Sequence, residues 1–268
     1  MLGRIREGDI VVRKSYGKDI LFCVEEIREL PIGKLAILKG LTIRITADSL
    51  LEDLEKVAVK EVKETLRSWD EKILGEKEKK GAKTRWEKVE QTGRILHLDG
   101  DRRYAEKSER YYLKNGLEAV VKNIKESEQA RLIRKFVEKY RPDVVVITGH
   151  DGMLKKKVGY NDMNNYRNSR FFMEAVKEVR KCSQDIVIFA GACQSYYEGL
   201  IEVGANFASS PARILIDFKD PLVVACKIAM TDCHQFLMIQ DFEDELRDGR
   251  RGINGIGSMG KKEVKYIQ

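Results

Sequence analysis

The chain is poor in the residues that fixed metal and disulfide sites require. Its five cysteines, Cys23, Cys182, Cys193, Cys226 and Cys233, are odd in number, and no two form a C-x-x-C pair. That argues against a thiolate zinc site or a disulfide framework and suits a reducing compartment. Only three histidines occur, His97, His150 and His234, so an imidazole base has few candidates. No apolar run approaches the roughly 20 residues of a membrane span. The segment Met1 to Asp9 lacks the apolar stretch of a secretory signal. A protein kept inside the cell and off the membrane is therefore expected. Net charge is +7, but the excess is spread along the chain and forms no dense basic block. A solvated basic surface fits this better than a nucleic-acid site.

What is present divides the 268 residues into four parts. Residues 1–58 carry short β-rich runs, Asp9–Arg13, Ile20–Val24, Lys34–Gly40 and Thr42–Thr46, separated by turn residues. Several strands with tight turns predict a small SH3-like β-barrel, read here as a docking module. In residues 59–92, 18 of 34 residues are charged, with signs mixed, and both tryptophans, Trp69 and Trp86, fall there. This predicts a helical connector interrupted at Gly75 and Gly81. From residue 93 to 240 strands alternate with helices: Arg94–Leu98, Tyr104–Lys114, Leu117–Val121, Glu128–Tyr140, Val144–Thr148, Ser169–Lys181, Ile186–Ala190, Tyr196–Val203, Ala205–Pro211 and Asp220–Ala229. Such alternation predicts an α/β domain with a mostly parallel sheet covered on both faces. Residues 241–268, charged and then glycine-rich, are expected to form a mobile tail. Their Gly255-x-Gly257-x-x-Gly260 run matches a nucleotide fingerprint, but only eight residues follow it, too few for the helix and strand that such a site needs. No cofactor and no metal are expected.

Two apolar runs carry the chemistry. Val144-Val145-Val146-Ile147-Thr148-Gly149 ends in His150-Asp151-Gly152, and Ile186-Val187-Ile188-Phe189-Ala190-Gly191-Ala192 ends in Cys193-Gln194. In a parallel sheet, ligands bind beyond the carboxyl ends of the strands. Two neighbouring strands would therefore set an imidazole beside a thiol, the pair that nucleophilic cysteine chemistry needs. Small residues before Cys193 allow a tight turn and close approach of a substrate. A helix opening at Ser195 would direct its amides toward the sulfur. Backbone amides near Gly152 and Cys193 would stabilise an oxyanion. Asp151 and Asp162 could orient the imidazole, although Asp151 could equally cap a helix. The polar stretch Gly159–Ser169 could line a cleft or simply cap the next helix.

A strand ending at histidine and another ending at cysteine, 193 − 150 = 43 residues later, resemble the caspase-like peptidases. That resemblance implies an α/β sandwich and a dyad with no strict third member. The chain departs from those enzymes in having His150-Asp151-Gly152 where they have histidine followed at once by glycine. Five segments, Gly8–Gly17, Ile95–Asp101, Ile147–Gly152, Asn165–Ser169 and Phe189–Tyr197, resemble the YabG family of sporulation-specific peptidases over essentially the full chain. The resemblance implies a cysteine endopeptidase of the sporulating mother cell. Its protein substrates would belong to the spore coat and cortex layer, and it would cut after basic residues, chiefly arginine. An arginine pocket should hold a carboxylate, for which Asp162 and Asp217 are candidates that the sequence does not separate.

The expectation is therefore a thiol protease in which Cys193 attacks and His150 transfers the proton. Self-processing could occur at Arg250-Arg251 or near Arg85. The competing classes are an inert scaffold for coat assembly and a cysteine amidohydrolase acting on a small amide.

Overall fold

The computed structural model describes residues 5–31, 33–74, 88–154 and 159–266. The first strands are β1 (Ile10–Arg13), β2 (Phe22–Leu30), β3 (Gly33–Gly40), β4 (Thr46–Leu50) and β5 (Leu54–Lys56). They form one antiparallel sheet in the order β4-β3-β2-β1-β5. Alternate residues Phe22 and Val24 of β2 and Ala36 and Leu38 of β3 point into its core, as the two-residue period of a strand requires. The register slips between Val24 and Glu26, an irregularity that bends β2.

The run Thr42–Thr46, expected as a strand, is one only from Thr46. Its β-branched composition favours a strand, but its backbone turns back on itself. Gly40 N–H donates to Ile45 O at 2.9 Å, and Ile45 N–H donates to Ile43 O at 2.8 Å. A side chain at Gly40 would collide with the Ile43 carbonyl. The tight loop puts Arg44 at its apex.

The connector is helical over α1 (Val59–Leu74). Trp69 on this helix meets Tyr104 and Phe218 edge-on. Gly75, Gly81, Arg85 and Trp86 lie outside the described residues. After β6 (Lys88–Gln91) come β7 (Ile95–Asp99), α2 (Arg102–Lys114), β8 (Ala119–Asn123), α3 (Glu126–Tyr140), β9 (Val144–Thr148), α4 (Ser169–Cys182), β10 (Val187–Ala190), α5 (Tyr197–Glu202), β11 (Phe207–Ser209) and α6 (Asp220–Met230). The chain closes with β12 (Phe236–Leu237), β13 (Ile253–Gly255), β14 (Ser258–Met259) and β15 (Glu263–Tyr266).

The central sheet has the order β13-β11-β10-β9-β7-β8, parallel except for β13. Side chains alternate between two apolar cores. Ile95, Val144, Val146, Val187, Phe189 and Phe207 face α2 and α6. Leu96, Leu98, Val145, Ile147, Ile188 and Ala190 face α3 and α4. Burial of both faces explains why these strands read as continuous apolar runs. The order reverses between β7 and β9, the switch point at which crevices open in such sheets.

The segment from Asp241, expected to be mobile, is woven into this architecture. Ile253 is fully buried on the sheet edge, β14 pairs with β12, and β15 pairs with β6. Gly255 sits in an edge strand antiparallel to β11, which is not the setting of a nucleotide loop.

Candidate active site

Ile147 of β9 pairs with Ala190 of β10. His150 and Cys193 are each the third residue beyond that pair, so equal steps carry both past the carboxyl edge of the sheet. Gly191 has φ +110°, and a side chain there would strike Ser209 Oγ, so the turn before Cys193 needs a glycine. Gln194 follows with φ 56°.

Cys193 is fully buried. Ile216 N–H donates to its sulfur at 3.4 Å, and the thiol lies 3.9 Å from Ile216 O. Burial pushes the thiol up to about 12, against the opposing pull of the Ile216 amide and the Arg44 cation. The expected helix at Ser195 begins only at Tyr197 and is six residues long. The sulfur is thus bonded to the Ile216 backbone instead.

His150 is also buried. Its Nε2 lies 3.1 Å from Gly40 O, while Nδ1 is buried with no hydrogen-bond partner among the described residues. Burial holds this imidazole well below its ordinary proton affinity, and the nearby Lys39 and Arg44 cations add to the effect. No hydrogen bond joins the imidazole to the thiol among the described residues. Both shifts favour the uncharged forms of the thiol and the imidazole.

The Arg44 loop lies across both strand ends. Asp151 N–H and Cys193 N–H each donate to Arg44 O at 3.3 Å, and Thr46 N–H donates to Asp151 O at 2.8 Å. Ile45 forms a parallel bridge with Asp151. Two amides thus converge on one carbonyl oxygen.

Gly152, the sequence candidate for one of those amides, is engaged elsewhere: its N–H donates to Asp151 Oδ1 at 2.8 Å. The amide that converges with that of Cys193 on Arg44 O is that of Asp151. The Asp151 carboxylate is fully buried, and no hydrogen bond joins it to the imidazole among the described residues. It accepts from Asn168 N at 2.8 Å, from Ser195 Oγ at 2.9 Å and from the Ser169 hydroxyl. Burial raises it to about 6 against those hydrogen bonds. Asp162 accepts from Asn164 N at 2.9 Å and caps a short turn in the polar stretch. Asp217 accepts from Lys219 N at 2.9 Å.

Sequence reasoning missed three residues here. Asp99, at the end of β7, pairs with Arg44 and accepts from Thr148 Oγ1 at 2.8 Å. Glu126, at the start of α3, accepts from His150 N at 2.8 Å, and burial raises its carboxyl. Arg44 itself is fully buried. Asp99 was findable, because it ends a strand next to β9 just as His150 and Cys193 end theirs. His97 is a structural histidine, with Nδ1 3.1 Å from Tyr112 Oη and Nε2 2.7 Å from Thr148 Oγ1. His234 donates its amide to Asp232 on the surface. A groove of about 550 Å³ opens beside His150, lined by Lys39, Thr46, Tyr166, Arg167 and Asn168.

The family model described as YabG peptidase U57 matches residues 6–266. The chain belongs to the YabG peptidase family. It is 37% identical over 276 residues to the sporulation-specific protease YabG of Bacillus subtilis (strain 168), a match that covers 94% of each chain. No solved structure matches it. Membership in the YabG family makes the chain a protease, a hydrolase with a role in sporulation and with proteins as substrates. Among the described residues no helix is long and apolar enough to cross a membrane.

Proposed function

We propose that the chain is a cysteine endopeptidase of the sporulating mother cell that processes spore-coat and related proteins after basic residues, chiefly arginine. The observation that carries this reading is the convergence of the Asp151 and Cys193 amides on one carbonyl oxygen, at the ends of the adjacent strands that bear His150 and Cys193. An amide pair placed there stabilises the charge that develops when a thiolate adds to a peptide carbonyl.

In this reading Cys193 adds to the scissile carbonyl, and His150 takes the thiol proton and returns it to the leaving amine. The amides of Asp151 and Cys193 hold the oxyanion, and water hydrolyses the thioester. Asp151 positions the two strand ends through its buried carboxylate, and Asp162 shapes the polar loop. Residues 93–240 form the catalytic unit, of the caspase-like α/β sandwich type. Residues 1–58 form an SH3-like barrel whose β3–β4 loop reaches into the site.

The test is hydrolysis of a fluorogenic arginine peptide by the purified chain beside Cys193→Ala. Release that depends on Cys193 supports the reading. Equal release by both proteins would sink it.

A further inference from the structure

The side chain that fills the crevice at the switch point belongs to the chain itself. The Arg44 guanidinium pairs with Asp99 at the end of β7, and one of its nitrogens lies 3.3 Å from Thr148 Oγ1. Its carbon sits 4.5 Å from the ring centre of Tyr104 and 5.1 Å from that of Phe218. A carboxylate at the floor and two aromatic faces as walls make a socket for a planar cation. Nε and Nη2 of Arg44 are buried with no hydrogen-bond partner among the described residues. An orphaned buried donor is costly in any role, so the guanidinium sits in this socket with part of its hydrogen-bonding capacity unmet.

The backbone of the same residue completes the picture. Its carbonyl is the one seated on the Asp151 and Cys193 amides, and the following strand bonds to Asp151 through Thr46. One residue thus places its side chain in a cation socket and its carbonyl in an oxyanion seat. A peptide whose arginine precedes the bond to be cut would be held in this way.

We propose that Asp99 is the carboxylate that selects arginine at the cleavage position, and that Arg44 fills this position in cis, so that the chain cuts its own Arg44–Ile45 bond. The proposal rests on the reading of Cys193 and His150 given above. Cys193 Sγ bonds to the Arg44 carbonyl carbon as its proton passes to His150. The bond from that carbon to Ile45 N breaks as His150 delivers the proton to the nitrogen. Water then hydrolyses the thioester, which restores the thiol and leaves a carboxylate at Arg44. Until this happens the socket is full, and the intact chain is latent toward other substrates.

The test follows the full chain, Cys193→Ala, Arg44→Gln and Asp99→Asn by intact mass under denaturing conditions. Hydrolysis of matched arginine and citrulline peptides is measured in parallel. The native chain should yield fragments that end at Arg44 and begin at Ile45. Neither Cys193→Ala nor Arg44→Gln should be cut there. Asp99→Asn should lower the arginine-to-citrulline preference in kcat/KM by about 100-fold, a change that a purely structural role would not produce. If that variant does not fold, the Arg44→Gln comparison still decides the cut. Cys193-dependent peptide hydrolysis by a chain that stays whole at Arg44, or that is cut only after Arg250 or Arg251, overturns this proposal and leaves the catalytic reading standing. A cut after Arg44 that persists in Cys193→Ala overturns the catalytic reading as well.

Discussion

Ser195 Oγ donates to Asp151 Oδ2 at 2.9 Å, which ties the turn that carries Cys193 to the end of the strand that carries His150. The same hydroxyl accepts from Ala192 N at 2.9 Å. The spacing of the two strand ends that carry His150 and Cys193 is therefore held by one buried carboxylate and one hydroxyl.

Asp151→Ala should destabilise the protein by at least about 3 kcal/mol, because it strands several buried donors at roughly 1–3 kcal/mol each. Asp151→Asn keeps an acceptor oxygen and should cost less. Urea midpoints at constant m-value measure both. An alanine variant within about 1 kcal/mol of the native protein would refute the bridging role.

Glu126 holds the amide of His150 from the start of α3. Glu126→Ala should lower kcat/KM on an arginine peptide by about tenfold, the equivalent of one hydrogen bond near 1.4 kcal/mol. Glu126→Gln keeps an acceptor and should restore most of the loss. Equal losses in the two variants would point to the charge instead of the hydrogen bond.

His97 and His150 are both buried, with proton affinities well below the ordinary histidine value. The unfolded chain binds protons that the folded chain refuses. Stability from these groups is complete above about pH 6.5 and falls as pH drops below it, by up to about 1.4 kcal/mol per pH unit for each. Asp151 and Asp220 act in the opposite sense: burial raises each to about 6, so their contribution is present at low pH and is lost as pH rises through that value. Denaturant midpoints between pH 5 and 7 should show a shallower acid loss in His97→Gln than in the native chain. An unchanged slope would refute a neutral buried His97.

Tyr104 has a fully buried hydroxyl with no hydrogen-bond partner among the described residues. Tyr104→Phe removes that orphan and keeps the ring, so stability should hold or rise by about 1 kcal/mol. Tyr104→Ala opens a cavity and should cost about 3–5 kcal/mol. Thermal melts of the two variants distinguish a packing ring from a working hydroxyl.

The strands that build the candidate site were legible because each is a short apolar run that stops at a small residue. The ends of β9 and β10 gave His150 and Cys193. The end of β7 offered Asp99 by the same rule, but its Asp-Gly-Asp sequence reads as a turn. Arg44 was not legible. A charged residue among β-branched neighbours reads as the solvent side of a strand, and its burial depends on partners 55 and 104 positions away. The amide near the histidine was assigned to Gly152, and only the traced backbone shows that the Asp151 amide turns toward Arg44 O while that of Gly152 turns to the Asp151 carboxylate. The tail failed for another reason. Ile253–Gly255 is a three-residue strand in a glycine-rich stretch, too short for any periodicity to show.

The strand order of the N-terminal sheet gives a cut after Arg44 an unusual outcome. The order β4-β3-β2-β1-β5 sets the three strands that precede the cut between two strands that follow it. Neither product could fold this sheet alone, and neither could leave without unzipping both of its margins. The two pieces would travel as one interlocked particle, with new chain ends inside it and an unchanged outline. Relief of latency would then be a local rearrangement of the severed loop, made irreversible by hydrolysis, in which no propeptide departs.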